Sequence, residues 1–441
     1  MAATSRVTAL RAGAPIPRSF LEHARSMGPG IVAVLTWLGA GDIVNSAMAG
    51  GNYAYTLMWM FVLCLIIRYL FVSIVAKYQL CNQHDETLLG GLTRLHPWFA
   101  PFVLVCTLLV GHGVGSYLLT GAAVACAKLS GFNNVRVWAI VVALLAFGVA
   151  FRPLYGRLEK VFFVLVGILS VSFISLAVWS GPSPAGIAAG VFGFAVPEMA
   201  GRFDAMTLML SMIGAVAGGL GNLMYPYFIR EKGWTTPAHR RVQQYDLVFG
   251  IIVLIVLDLA VWVVGAEILH PKGIRVVDID GLAMLLGETL GRFGSTLFYV
   301  GILAALFSNL VGSGSAYGYL GSDAFSHWRA SAVPVDSSER RKHPLYRFLV
   351  IWVILTPLVW PMAGLSDFVG LTLVVNAAQV VVIPVLVVGL WIITARAKYI
   401  GTAHRNRWWE NAATGFLLLL GCVSTYFAVA KLVEKLQALQ R

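Results

Sequence analysis

Eleven apolar runs divide this chain, near 29–50, 55–80, 100–127, 137–153, 160–180, 207–229, 244–267, 284–312, 346–364, 367–395 and 410–433. A helix of about 20 residues crosses the ~30 Å hydrocarbon core of a bilayer, so each run predicts a transmembrane helix. Two runs are interrupted in the same way. Gly39-Ala40-Gly41-Asp42 and Gly219-Leu220-Gly221-Asn222 share the pattern Gly-x-Gly-(Asp/Asn), 180 positions apart, in the first and sixth spans. Glycine is costly inside a helix, so Gly39, Gly41, Gly219 and Gly221 mark helix breaks. Within a bilayer an unwound turn is tolerated only where its freed N–H and C=O groups line a cavity or bind something. Paired interruptions in two halves of a membrane protein point to a transporter's binding site. The competing reading is close helix packing through small residues.

Composition agrees with the pattern. The chain is 59% hydrophobic and 12% charged over 441 residues, about half the charged fraction of a soluble protein. It is an all-α polytopic membrane protein by this measure. With the N-terminus inside, the inner segments hold about 22 of the 32 basic residues and the outer ones about nine. That asymmetry predicts a cytoplasmic N-terminus, an external C-terminus and residence in the cell's inner (plasma) membrane. The net charge of +12 is then an orientation signal, and nucleic-acid binding has no place in the account. Arg6, Arg11, Arg18 and Arg25 lead straight into a full-length span, unlike a cleavable signal peptide. Cys64, Cys81, Cys106, Cys126 and Cys422 lie in or beside apolar segments without ligand spacing, and read as small core residues.

The connectors are short. Residues 84–96 read as a mildly amphipathic inner loop with a short interfacial helix, and 181–206 and 268–283 as outer loops. The longest polar stretch, 323–345, reads as a flexible cytoplasmic linker.

Polar residues inside the spans are costly in lipid and are where function is sought. They are Asp42, Asn45, Arg68, His112, Asn222, Asp258, Asn309, Asn376 and Gln379. Asp42 is the only carboxylate of the first span, and an unwound turn beside it offers carbonyls, an oxygen set suited to a hard cation. Asn222 adds an amide on the opposed turn, and Asn376 and Gln379 share one face of the tenth span. A buried amide is also a common helix–helix hydrogen bonder. Arg68 and Asp258 lie deep in their spans, able to pair with each other or with backbone carbonyls. Arg68 reads as structural neutralisation, Asp258 and Asn376 as candidates for an ion path. His112 is a candidate proton relay or a satisfied hydrogen-bonding residue. No nucleophile–base pair sits at usable spacing, which argues against an enzyme.

At these residues the chain resembles the Nramp-type divalent metal transporters. Gly28-Pro29-Gly30, the break, Ala49-Gly50 and Leu57-Met58-Trp59 look like that family's first span of GPG, a DPGN turn, AG and LLW. Tyr155-Gly156-Arg157-Leu158-Glu159, Asp246, the run Ala304-Ala305 to Gly312 and Gly314, and Asn376-Ala377-Ala378-Gln379-Val380 with Pro384 extend the likeness. The resemblance implies the LeuT-type fold: two inverted five-helix repeats plus an eleventh helix, helices 1 and 6 broken, and a cation bound between the breaks. It implies a cytoplasmic arm over 1–28 and a transporter core over 29–395. The core's repeats fall near 29–180 and 207–395, with a cytoplasmic loop and the eleventh helix over 396–441. The cation is cargo and no cofactor is implied; a monomer in the bilayer is expected.

The sequence departs from the family at its chemistry. The family's metal-binding aspartate falls on Gly39, and its asparagine on Asp42. A three-residue gap instead puts Asp42 and Asn45 on that pair but breaks the register to Trp59. The sixth-span methionine and histidine of MPHN fall on Gly219 and Gly221, and the third-span acids on Gly115 and Leu118. Without sulfur, softness no longer favours Mn²⁺ over Mg²⁺. The expectation is a secondary transporter of Mg²⁺- or Mn²⁺-class cations without the family's usual proton coupling. Asp42 is its anchor, with Asn222, Gln379 and carbonyls near Thr36 and Val216 as further ligands. The alternative is a LeuT-fold carrier of a small organic such as an amino acid or amine. A sensor built on this scaffold is a third reading.

Overall fold

The structure is a computed structural model that describes residues 14–17, 19–26, 40–151, 155–197, 203–217, 219–329 and 337–439. The described residues are helical nearly throughout, and no strand occurs among them. Eleven elements fall on the expected runs: α1 (Ala40–Tyr53), α2 (Met58–Cys81), α3 (Phe99–Ser130), α4 (Val135–Ala150), α5 (Tyr155–Trp179), α6 (Ala205–Glu231), α7 (Arg240–Val264), α8 (Ile279–Arg329), α9 (Pro344–Met362), α10 (Phe368–Ala395) and α11 (Trp408–Leu439). Eight of them, α2, α3 and α6 to α11, are long and apolar enough to cross a membrane. The first part of the first span lies outside the described residues, and α4 is a shorter apolar helix.

Local chemistry sets several boundaries. Asn134 caps α4 by accepting from Val137 N, Asp204 caps α6 by accepting from Thr207 N, and Asp367 caps α10 by accepting from Gly370 N. Each satisfies one of the N–H groups a helix start leaves open. Gly131, at φ 74°, ends α3 in the left-handed conformation that glycine adopts at no steric cost.

The helices pack in two groups. Helices α1, α2, α6 and α7 contact one another, and α3 lies along α8 with α4 and α9 beside them. Helix α5 bridges α7 and α8, α10 lies against α1, α3 and α6, and α11 packs outside on α10. Helices 1–2 therefore group with 6–7, and 3–4 with 8–9, as a five-plus-five repeat requires. Leu144, Val171 and Leu419 project outward at about 60% exposure, the mark of faces that meet lipid rather than water. One end of the bundle, called the basic end here, joins the 82–98, 232–239, 337–343 and 396–407 connectors. Gln83 N donates to Tyr399 O and Asn406 accepts from Lys77 there.

Three connectors differ from the sequence expectation or sharpen it. The short helix of 84–96 is present as Leu88–Leu95, capped by Thr87. The 181–206 loop contains a helix, Pro184–Phe192, bent 107° from the end of α5 and started by Ser183 accepting from Gly186 N. The polar 323–345 stretch is not a linker throughout: α8 continues to Arg329, and Ser337–Arg340 is helical. Asp323 holds this region in place, with Arg340 at 3.8 Å and His327 one turn along. Residues 330–336 lie outside the described residues. Cys64, Cys81 and Cys106 are buried as expected, but Cys422 is exposed on α11.

Candidate functional site

The sixth helix breaks where the glycines indicated. Helix α6 runs regularly to Met212, widens into a π-turn over Ile213–Ala217, and passes through an extended Gly219 at φ −56° and ψ 151°. A tight 3-10 turn, Leu220–Met224, leads into the last segment, Tyr225–Glu231. Pro226 opens that segment because it has no N–H to lose there. A Cβ on Gly219 would lie 2.7 Å from Gly214 O of the preceding turn and 3.1 Å from Gln379 Oε1, so a methyl here would clash with α6 itself and crowd α10. In the first span, Gly41 is helical and shares the first described turn of α1 with Asp42. A Cβ on Gly41 would come within 2.9 Å of Asn376 Nδ2. Gly39 and Thr36 lie outside the described residues, as does the Gly28-Pro29-Gly30 run.

Gly41 of α1 and the break of α6 thus press on the same stretch of α10, and beside them lies a cavity of about 80 Å³. A water needs roughly 10–15 Å³ on that measure, so the space suits a handful of waters or a partly hydrated ion. Gly41 and Asp42 of α1, Gly219, Gly221 and Asn222 of α6, and Asn376 and Gln379 of α10 all line it. The Gln379 amide donates to Asn376 Oδ1 at 3.2 Å, and Asn222 Nδ2 reaches Val216 O at 3.4 Å. The Asn376 Nδ2 group is buried with no hydrogen-bond partner. The sequence reading had placed these residues together, and the fold does so.

Asn309, already singled out as a polar span residue, also lines the cavity, whereas Ser313, Tyr117, Tyr317 and Met224 are new to it. Asn309 and Ser313 of α8 share a 2.9 Å hydrogen bond, and Tyr117, Tyr317, Met224 and Arg68 also line the cavity. Met224 corrects the expectation of a site without sulfur. It stands five residues beyond Gly219, where gapless matching to MPHN could not find it.

Arg68 is the largest correction. Its Nη1 donates to Asp42 Oδ2 at 3.3 Å, its Nε to Val216 O at 2.7 Å, and its Nη2 to Ala215 O at 2.7 Å. The guanidinium is therefore seated on Asp42 and on the widened turn of α6, with both side chains almost fully buried. The Val216 carbonyl, expected as a cargo ligand, is already engaged by Arg68. Of the two partners expected for Arg68, the backbone carbonyls are present. The carboxylate it holds is Asp42 rather than Asp258, whose two oxygens are buried with no hydrogen-bond partner.

Two further candidates stand away from the cavity wall. Asn45 Oδ1 accepts from Ser211 Oγ at 2.7 Å, tying α1 to α6. His112 turns toward α9: Trp360 Nε1 donates to its Nε2 at 3.0 Å, and its Nδ1 lies 2.8 Å from Thr356 Oγ1. The Thr356 hydroxyl itself donates to Trp352 O. That geometry fixes the neutral Nδ1–H tautomer. Among the described residues, no three His, Cys, Asp or Glu side chains gather into a metal-binding cluster. Any cation here would meet one carboxylate, amides, carbonyls and the Met224 thioether.

Two packed helix groups, a broken sixth helix and a polar cavity at its break define a polytopic carrier of the LeuT-type fold. The family model described as natural resistance-associated macrophage protein-like (Nramp) matches residues 30–430, and the chain belongs to that family, whose members are transporters and not enzymes. The divalent metal cation transporter MntH of Bacillus subtilis (strain 168) is 21% identical over 416 residues, 89% of this chain and 88% of its own length. A crystal structure of the Eremococcus coleocola manganese transporter superposes with a TM-score of 0.75 at 17% identity, over 96% of this chain and 90% of its own. MhsT, solved in complex with L-phenylalanine, shares the fold at a TM-score of 0.58 and 13% identity, over 91% of this chain and 97% of its own.

Proposed function

We propose that this chain is a secondary transporter that carries divalent cations of the Mg²⁺ and Mn²⁺ class by alternating access. It would sit in the plasma membrane with its N-terminus cytoplasmic and its C-terminus external, as the basic end suggests. The observation that carries the reading is Asp42, the one carboxylate in the cavity wall among the described residues, at the level of the sixth-helix break and among amide oxygens. Hard divalent cations take oxygen donors and keep part of their water, which the cavity's size allows. The Met224 thioether in the wall favours Mn²⁺ as the first cation to test. Relatives described as divalent metal cation and manganese transporters support the same class. Proton movement has no obvious route at the family's positions. Gly115 and Leu118 stand in the third span, and Gly221 at the break, where ionisable groups would be needed. Reconstitution in proteoliposomes tests the reading: Mn²⁺ and Mg²⁺ uptake is expected, and Asp42→Ala is expected to abolish it. Unchanged flux in Asp42→Ala would overturn the assignment.

The Asp42–Arg68 pair favours a second reading. A cavity that offers a carboxylate and a guanidinium side by side suits a small zwitterion such as an amino acid. Stabilisation of the purified protein by an amino acid, with none from millimolar Mn²⁺ or Mg²⁺, would select this alternative.

A further inference from the structure

The cavity contains a positive charge of its own. Arg68 occupies the Asp42 carboxylate and two carbonyls of the α6 turn, the kinds of donor that a bound cation would use. Its contact with Asp42, at 3.3 Å, is longer than its two carbonyl bonds at 2.7 Å. A second observation concerns α7. Asp258 is fully buried, neither of its oxygens has a hydrogen-bond partner, and it lies within electrostatic reach of both Asp42 and Arg68. Helix α7 packs directly on α1 and α2, which carry those two residues. A buried carboxylate without partners is costly, and the Arg68 guanidinium is a cation within its electrostatic reach.

We propose that Arg68 is a tethered cation that competes with the cargo for Asp42, and that Asp258 receives the guanidinium when cargo binds. The proposal rests on the divalent-cation reading above. In the empty protein Arg68 neutralises Asp42, so the site carries no bare carboxylate through the apolar core. A monovalent ion brings no more charge to Asp42 than Arg68 already supplies, whereas a divalent ion brings twice as much and displaces it. Arg68 thus sets selectivity by charge without touching the cargo. The observed affinity equals the intrinsic affinity multiplied by the fraction of time that Arg68 is away.

Titration calorimetry with Mn²⁺ on the purified full-length chain tests this, with thermal stability measured alongside. Arg68→Gln frees Asp42 and is expected to bind Mn²⁺ at least about tenfold more tightly than wild type. The gain should vanish in Arg68→Gln/Asp42→Asn. Asp258→Asn leaves the resting ion pair intact, so it provides an arm that does not depend on tolerating an unpaired Asp42. It is expected to weaken Mn²⁺ binding about tenfold while the metal-free protein stays as stable as wild type or gains. Wild-type binding with no tightening in Arg68→Gln and no weakening in Asp258→Asn would overturn the competition and leave the transport reading standing. Absence of binding to both wild type and Arg68→Gln would overturn the transport reading itself, and this proposal with it.

Discussion

The Tyr227 hydroxyl donates to Asp323 Oδ2 at 2.8 Å, joining the last segment of α6 to the end of α8. Thr87 Oγ1 donates to the same oxygen at 3.0 Å, so three elements meet at one carboxylate between the cavity and the basic end. Beneath the site, Leu88, Leu89, Leu92, Leu223, Pro226 and Leu320 form an apolar layer around this clasp. Removing one hydrogen bond to a charged acceptor costs about 1.5–3 kcal/mol, enough to shift a closed–open balance by tenfold or more. Tyr227→Phe should therefore expose this layer. A cysteine placed at Leu223 is expected to react faster with a water-soluble thiol reagent in Tyr227→Phe than in its parent. Equal rates would show that the clasp does not hold this end shut.

The two glycines of the sixth break should respond differently to an added methyl. At Gly219 the Cβ would meet the Gly214 carbonyl at 2.7 Å, and backbone cannot move aside cheaply. Gly219→Ala is expected to destabilise by about 1–3 kcal/mol. At Gly221 nothing lies within 4 Å, and the residue lines the cavity. Gly221→Ala should leave thermal stability near wild type while reducing Mn²⁺ affinity by filling space that water would share. A pair of melting curves with and without Mn²⁺ separates the two effects.

Lys77 donates to Glu410 Oε1 at 2.8 Å and to Asn406 Oδ1 at 2.7 Å, fixing α2 to the start of α11. Both charges are nearly buried, so deleting Lys77 leaves the Glu410 charge without its cation, held by the Arg407 N–H. Lys77→Met is expected to cost about 3–5 kcal/mol, and Lys77→Met/Glu410→Leu to recover most of it. Detergent-resistant folding of the three proteins reports this directly. A double variant no better than the single would show that the loss comes from packing rather than from stranded charge.

At the opposite end, Lys431 of α11 donates to Asp204 Oδ2, and Asp204 caps α6. Partial burial raises the Asp204 carboxyl, but hydrogen bonds from Lys431 and Thr207 and the lysine charge outweigh it and hold it below its ordinary 3.8. A carboxylate whose folded value is depressed adds stability above its unfolded value and loses it as pH falls through the folded one. The strut between α6 and α11 should therefore be intact above about pH 5 and released in stronger acid. The stability gap between wild type and Asp204→Asn is expected to be constant near neutrality and to close on acidification. A gap that stays open at low pH would contradict this.

Much of the architecture was legible in the sequence because the bilayer imposes it. Length and apolarity alone placed the eleven elements, and the glycine pair of the sixth span located its break and hence the cavity. Asp42, Asn222, Asn376 and Gln379 follow from the cost of placing polar groups at that depth. Arg68 was legible as a buried charge but not as the occupant of the site. Sequence gives a residue's depth in its span, not the direction it points, and Asp42 and Asp258 are both carboxylates within reach of such a side chain. Met224, Tyr117 and Tyr317 were invisible for a different reason. Methionine and tyrosine are ordinary in apolar helices, and only the turn after Gly219 for Met224 and the packing of α3 and α8 for the tyrosines show that they face the cavity. His112 likewise needed the α9 contacts with Thr356 and Trp360 before its direction could be known.

Helix α10 carries one more consequence. Immediately after Gln379 its winding tightens over Val380–Val382 before Pro384, so it too is jointed, just past the amides that line the cavity. Beyond that joint, the second half of α10 is braced by α11, where Gly421 meets Ile383 and Thr425 donates to Val380 O. The half bearing Asn376 and Gln379 is pressed against the glycines of α1 and α6. A swing at the joint therefore carries both amides against a fixed outer anchor. On the transport reading proposed above, grip on the cargo and the stroke that moves it would become a single mechanical event, with α10 as the lever and α11 as its fulcrum.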